Sequence, residues 1–174
     1  ALQYLAETQH LHVKHIANLQ RLEETHYVWM DKFTIRNLEL FHSSGEGAIT
    51  LIDVLDHNIT PMGSRLMKRW LAFPLKDKKQ IEDRHSIIEY LLQENDLRQS
   101  LQTHIKEIGD LERLITKVAT GRINPREVVQ LKRALFSITP IKAECNDSNN
   151  KVLVHLADQL NPCEKVRQKI EKEI

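Results

Sequence analysis

Three histidines, His10, His12 and His15, fall close together near the start of the chain. A metal ion needs ligands that converge on one point. Spacings of two and five do not bring all three to one helix face. On a strand, His10 and His12 share a face and His15 points away. The spacing therefore predicts surface or helix-end histidines and no metal site. His42, Ser43 and Ser44 set hydroxyls beside an imidazole. They lack the strained strand-to-helix turn that exposes a catalytic serine. Asp53 and Asp56 stand three apart on a short predicted helix. Paired carboxylates can divide acid and base work, but that placement predicts solvated charge. No GxxxxGK[ST] loop occurs, and Gly45, Gly47 and Gly63 lack a following Gly-Lys pair. This segment is accordingly expected to be no enzyme, to hold no cofactor and to hydrolyse no nucleotide by itself. Cys145 and Cys163 lack the short spacing of a metal or redox motif, and predict inert thiols in a reducing compartment.

The strongest candidate for binding is basic. Between Asn58 and His85 there are seven Lys/Arg against three Asp/Glu. Thr60 and Pro61 supply an N-cap and a first-turn proline, and Pro74 restricts Phe73 and stops the helix. On that helix Arg65, Lys68 and Arg69 share one face. Met62, Leu66, Trp70 and Phe73 share another, with Met67 and Leu71 beside it. The pattern predicts a core helix with a basic outer stripe, and Trp70 and Leu71 as packing anchors. The three cations could meet DNA phosphates, or face water. A glycine in the first turn, Gly63, costs about 1 kcal/mol relative to alanine. Close packing of a neighbour against the backbone would explain it.

The remaining elements are mainly helical. Leucine, isoleucine and valine must build the core, because the chain has only four Phe, three Tyr and two Trp. Five glycines and five prolines in 174 residues leave room for few loops. Residues 1–10 read as the tail of a helix, and residues 11–30 allow one or two short β-strands. Asp31 caps a helix to about Phe41, with Phe33, Leu38 and Phe41 as inward candidates. Ser43–Gly47 is a loop, and Leu51–Leu55 a short helix. Asp77 and Gln80 form a capping box for a helix bearing Ile81, Ile88 and Leu92. Leu97, Leu101, Ile105 and Ile108 form one apolar stripe. Gly109-Asp110 restarts a helix with Leu111, Leu114, Ile115 and Val118, which Gly121 ends. Asn124, Pro125 and Glu127 open the next, burying Val128, Leu131, Leu135 and Ile138. Thr139-Pro140 is expected to begin another. Residues 146–150 are a loop, and two helices close the sequence.

Net charge is +1, from 25 Lys/Arg and 24 Asp/Glu, which argues against nucleic-acid binding by bulk charge. No apolar run reaches membrane-spanning length. A cytoplasmic piece of a longer protein is expected. The stripe Val166, Ile170 and Ile174 would be open for self-association.

Three long runs carry a resemblance: MDKFTIRNLELF, LIDVLDHNITPMGSRLMKRWLAFPL and GDLERLITKVATGRINPREVVQLKRAL. In this order and spacing the chain resembles the MutS family of DNA mismatch-repair ATPases, its bacterial members most. Asp31, Thr34, Arg36, Asn37, Leu38 and Glu39 match the core-entry motif. Thr60, Pro61, Gly63, Arg65, Trp70, Leu71 and Pro74 match a second. Asp110, Leu111, Glu112, Arg113 and Pro125 match a third.

The resemblance implies a mainly α fold, the first half of the multi-helix core or lever domain. Residues 1–27 would be the connector junction, and 28–174 the core up to the clamp. It implies a structural role, linking the ATPase to the DNA clamp and transmitting nucleotide state. The connector, clamp and ATPase domains, mismatched duplex DNA and a second copy of the parent would be the partners. ATP and Mg would belong to the parent, and no Phe-x-Glu mismatch probe occurs here. The alternatives are a MutS-like paralogue acting in recombination, or phosphate contact through Arg65, Lys68 and Arg69.

Overall fold

Asn124 starts the helix on which the others pack. Its side chain accepts from the Glu127 amide at 3.0 Å, and Glu127 accepts from the Asn124 amide at 3.2 Å. With Pro125 in the first turn, this closes a capping box. The computed structural model describes residues 25–43, 45 and 47–174. Residues 1–24, with the three histidines and most of the stretch 11–30 expected to bear strands, lie outside these residues; in its described part, 25–30, Tyr27 makes an isolated bridge to Leu75 and no strand forms. The described helices are α1 (Lys32–Asn37), α2 (Leu51–Leu55), α3 (Pro61–Ala72), α4 (Lys78–Gln93), α5 (Asn95–Ile108), α6 (Leu111–Ala119), α7 (Pro125–Asn146), α8 (Lys151–Asp158) and α9 (Glu164–Glu173). The architecture is mainly α, and no strand forms among the described residues.

Helix α7 corrects the expected break at Thr139-Pro140, because it runs unbroken through Pro140. The missing N–H removes the donor to the Phe136 carbonyl, at a cost of about 3 kcal/mol. Phe136 is on the exposed face, where water can serve that carbonyl. Leu135, Ile138 and Ile141 flank the site and are all buried. Burial of each contributes about 1.5–3 kcal/mol, so packing outweighs the proline.

Two apolar clusters share α7. In one, Leu101, Ile141, Cys145, Leu153 and Ala157 join α5, α7 and α8, with Ile87, Leu91 and Leu97 against them. In the other, Leu114, Leu131, Leu135 and Ile138 join α6 and α7, with Ile170 of α9 added. Ile108 and Leu160 touch both clusters. The stripe expected on α5 is present, with Ile105 at its margin.

Several inward residues differ from expectation. On α4, Ile88 and Leu92 are exposed, and Ile87 and Leu91 pack inward instead. Both sets have helical spacing, and only the position of α5 and α8 chooses between them. On α6, Ile115 and Val118 are exposed. Helix α1 ends at Asn37, short of the expected Phe41, because Glu39 takes a φ of 48°. Phe33 and Leu38 consequently face solvent, and Leu40 is the buried residue. It lies against α2, whose Ile52 amide donates to the Leu40 carbonyl at 3.1 Å. Val166 and Ile174 are exposed while Ile170 packs into the second cluster, so the terminal stripe is divided.

Gly121 ends α6 as its position suggests. Its amide donates to the Val118 carbonyl, and its φ of 66° lets the Arg122 amide reach that of Lys117.

Candidate functional site

The motif residues meet at α3. Thr60 is buried and its hydroxyl accepts from the Gly63 amide at 3.2 Å, with Pro61 next in the first turn. The neighbour behind Gly63 is Asn58. A β-carbon built on Gly63 would stand 2.9 Å from Asn58 Oδ1 and 3.1 Å from its Cβ. Asn58 is held there through Asp56, whose Oδ1 accepts from Asn58 Nδ2 at 2.8 Å and from Ser64 Oγ at 2.9 Å. These side-chain bonds from Asn58 and then Ser64 hold the Asp56 carboxyl below its ordinary pKa. Thr50 does the same to Asp53, by hydroxyl and then backbone, in the capping box of α2. The two aspartates thus serve turns and caps.

Arg65 reaches across to the start of α6. Its Nη2 lies 2.6 Å from Asp110 Oδ1, its Nη1 donates to Asp110 Oδ2 at 3.2 Å, and its Nε donates to Glu112 Oε2 at 2.8 Å. A planar guanidinium suits this forked contact and an ammonium does not. Asp110 is also the N-cap of α6, accepting from the Arg113 amide at 3.2 Å. The Arg65 hydrogen bond is the main reason its carboxyl lies below the ordinary range. Asp110, followed by Glu112, raises the Arg65 guanidinium in turn. Of the three cations on one face, Arg65 is engaged, and Lys68 and Arg69 are exposed with no ion pair among the described residues.

Trp70 and Leu71 part. Leu71 is half-buried, whereas Trp70 keeps 40% of its surface exposed and carries the Arg84 guanidinium of α4 at 3.7 Å from its ring. The packing of Trp70 is thus a cation–π contact at the surface, which joins the end of α3 to α4. No residue of α3 is buried, so its apolar face rests lightly on its neighbours. The Pro74 carbonyl accepts from Val28 at 2.8 Å, and Tyr27 bridges Leu75, with its ring edge-on to Phe73.

The other motif residues serve local structure. Asp31 caps α1 through the Thr34 amide at 2.6 Å, and Arg36 and Asn37 are exposed near its end. Ser43 donates to Glu39 Oε1 at 3.0 Å, an arrangement without an activating imidazole. No local pattern signals Asn58 behind Gly63, or Arg84 over Trp70. A second polar seam was also missed: Ser100 donates to Glu144 Oε1 at 2.7 Å and Ser137 to Glu107 Oε2 at 2.9 Å, tying α5 to α7. No group able to hold a metal ion occurs among the described residues.

The described residues thus form a helical protein segment in which Asp31, Asp53, Asp56 and Asp110 serve caps and turns and Arg65 ties α3 to α6. Residues 33–174 match the family model described as MutS domain III, and the chain belongs to the MutS family. It is 51% identical over 173 residues to the DNA mismatch repair protein MutS of Bacteroides fragilis (strain YCH46), covering 99% of this chain and 20% of that relative. It is 50% identical over 169 residues to that of Flavobacterium johnsoniae, covering 97% and 20%. For Cytophaga hutchinsonii the figures are 50% over 163 residues, 94% and 19%. The chain spans about a fifth of the length of these curated relatives. No helix among the described residues is long and apolar enough to cross a membrane.

Proposed function

We propose that this chain is the structural and allosteric core segment of a DNA mismatch-repair protein. In this reading residues 28–174 form the first half of the lever and residues 1–27 its junction with the connector. The segment links an ATPase domain to a DNA clamp and carries nucleotide state between them. ATP and Mg act elsewhere in the longer, homodimeric protein, and mismatched duplex DNA is met by the assembly. The names of the relatives favour mismatch repair over a recombination paralogue.

The observation that carries this reading is α7. It is one 22-residue helix, about 33 Å long at 1.5 Å per residue, whose buried face runs through both apolar clusters. A continuous member of this kind moves as a unit, and coupling between distant sites needs such an element with distinct arrangements at its ends. Phosphate contact by Arg65, Lys68 and Arg69 is the weaker reading, because two carboxylates already occupy Arg65.

The test is made in the full-length protein. Leu135→Ala removes a buried α7 side chain and leaves a cavity. The expected result is several-fold loss of the mismatch-dependent change in ATP turnover, with basal turnover and DNA affinity retained. Unchanged coupling in a folded variant would sink the proposal. So would steady ATP hydrolysis that co-purifies with the 174-residue chain.

A further inference from the structure

We propose that Arg65 is a salt-releasable latch that fixes the N-terminal module, residues 26–76, in one orientation against the helical bundle, residues 78–174. Helix α3 is the module's strut. Its far end is tied to the bundle by Arg65 to Asp110 and Glu112. Its near end is tied by Trp70 under Arg84, next to the short link from Phe73 to Asp77 that carries the chain into α4. The two ties differ in kind. The near one is a stacked contact beside the covalent link. The far one is ionic, and Arg65 keeps 48% of its side-chain surface open to water and ions.

That difference makes the link a pivot and the ionic end a catch. From Phe73 back to Arg65 the strut measures about 12 Å at 1.5 Å per residue, so a modest rotation at the link moves Arg65 by several ångströms. No residue of α3 is fully buried, and its apolar cover is partial, at Met62, Met67 and Leu71, so the apolar packing that opposes the movement is limited. The bundle does not depend on the catch. Asp110 caps α6 through the Arg113 amide whether or not Arg65 is present, and Leu114 keeps α6 on α7. Gly109, at φ 63° and ψ −132°, turns the chain so that Asp110 faces α3. The latch stands on this geometry and needs neither nucleotide nor DNA.

The experiment measures distances between spin labels in the 174-residue chain. Cys163→Ser removes the accessible thiol, and buried Cys145 stays unlabelled. One label pair spans the two parts, at His57→Cys and Gln102→Cys, both exposed sites. A control pair lies within the bundle, at Gln102→Cys and Lys151→Cys, again exposed. In dilute buffer the spanning pair should give one narrow distribution. At about 1 M salt, where the screening length falls to about 3 Å, it should broaden and shift by several ångströms while the control pair stays fixed. Arg65→Met should give the shifted distribution in dilute buffer. Asp110→Asn combined with Glu112→Gln removes both carboxylates that hold Arg65 and retains a capping side chain, so it should do the same with α6 intact, and neither variant should respond further to salt. An identical spanning distribution in the parent, Arg65→Met and the Asp110→Asn/Glu112→Gln protein would overturn the latch. Movement of the control pair would also overturn it, in favour of general loosening. If Arg65→Met loses helix content, the Asp110→Asn/Glu112→Gln protein decides by the same criterion.

Discussion

The side chain of Asn58 crowds the place where a β-carbon on Gly63 would stand, its Oδ1 only 2.9 Å away. This contact accounts for a glycine in the first turn of α3, where helix propensity favours alanine. The two effects oppose each other. Alanine would gain about 1 kcal/mol of propensity, and overpacking costs about 1–3 kcal/mol.

Gly63→Ala should therefore destabilise the chain, by on the order of 1 kcal/mol net. In an Asn58→Gly background the obstruction is gone, and the same substitution should become stabilising. Urea unfolding of the four proteins in this cycle measures the sign. A Gly63→Ala change that stabilises the parent would refute the steric account.

Acid should weaken the tie between α3 and α6. The Asp110 carboxyl is held below its ordinary value of 3.8, chiefly by the Arg65 hydrogen bond. Its folded form therefore releases the proton more readily than the unfolded chain does. That stability is fully present above about pH 4 and is lost as pH falls through the lowered folded-state value. Asp110→Asn removes this titration and keeps the cap. Urea midpoints taken from about pH 6 down to about pH 2 should fall less steeply for the variant. Parallel slopes would show that Asp110 is not linked to folding.

The two thiols should differ in reactivity. Cys145 is 5% exposed in the first apolar cluster, and burial followed by nearby Glu144 pushes its pKa up. Cys163 is only partly covered. A disulfide reagent added to the native chain should modify one thiol quickly and the other at least about tenfold more slowly. Mass mapping should place the fast adduct on Cys163. Cys145→Ser should leave the fast phase untouched, and an adduct first on Cys145 would contradict the packing described here.

What the sequence determined is local. Asn124, Pro125 and Glu127 open α7, Asp110 caps α6, and Gly121 closes it, because caps are satisfied within about four residues of chain. The spacing of Leu97, Leu101 and Ile108 fixed the inward face of α5 for the same reason. Where two faces of a helix were equally apolar, as with Ile87/Leu91 and Ile88/Leu92 on α4, only the neighbouring helices made the choice. Pro140 could be read as a helix start until the packing on both sides of it was known. Tertiary structure alone gave Arg65 its carboxylates, which lie 45 and 47 residues away along the chain. It also put Arg84 on Trp70 and Asn58 behind Gly63. Side-chain direction follows from local spacing, but the identity of what a side chain meets follows from where distant segments are brought, and no local pattern encodes that.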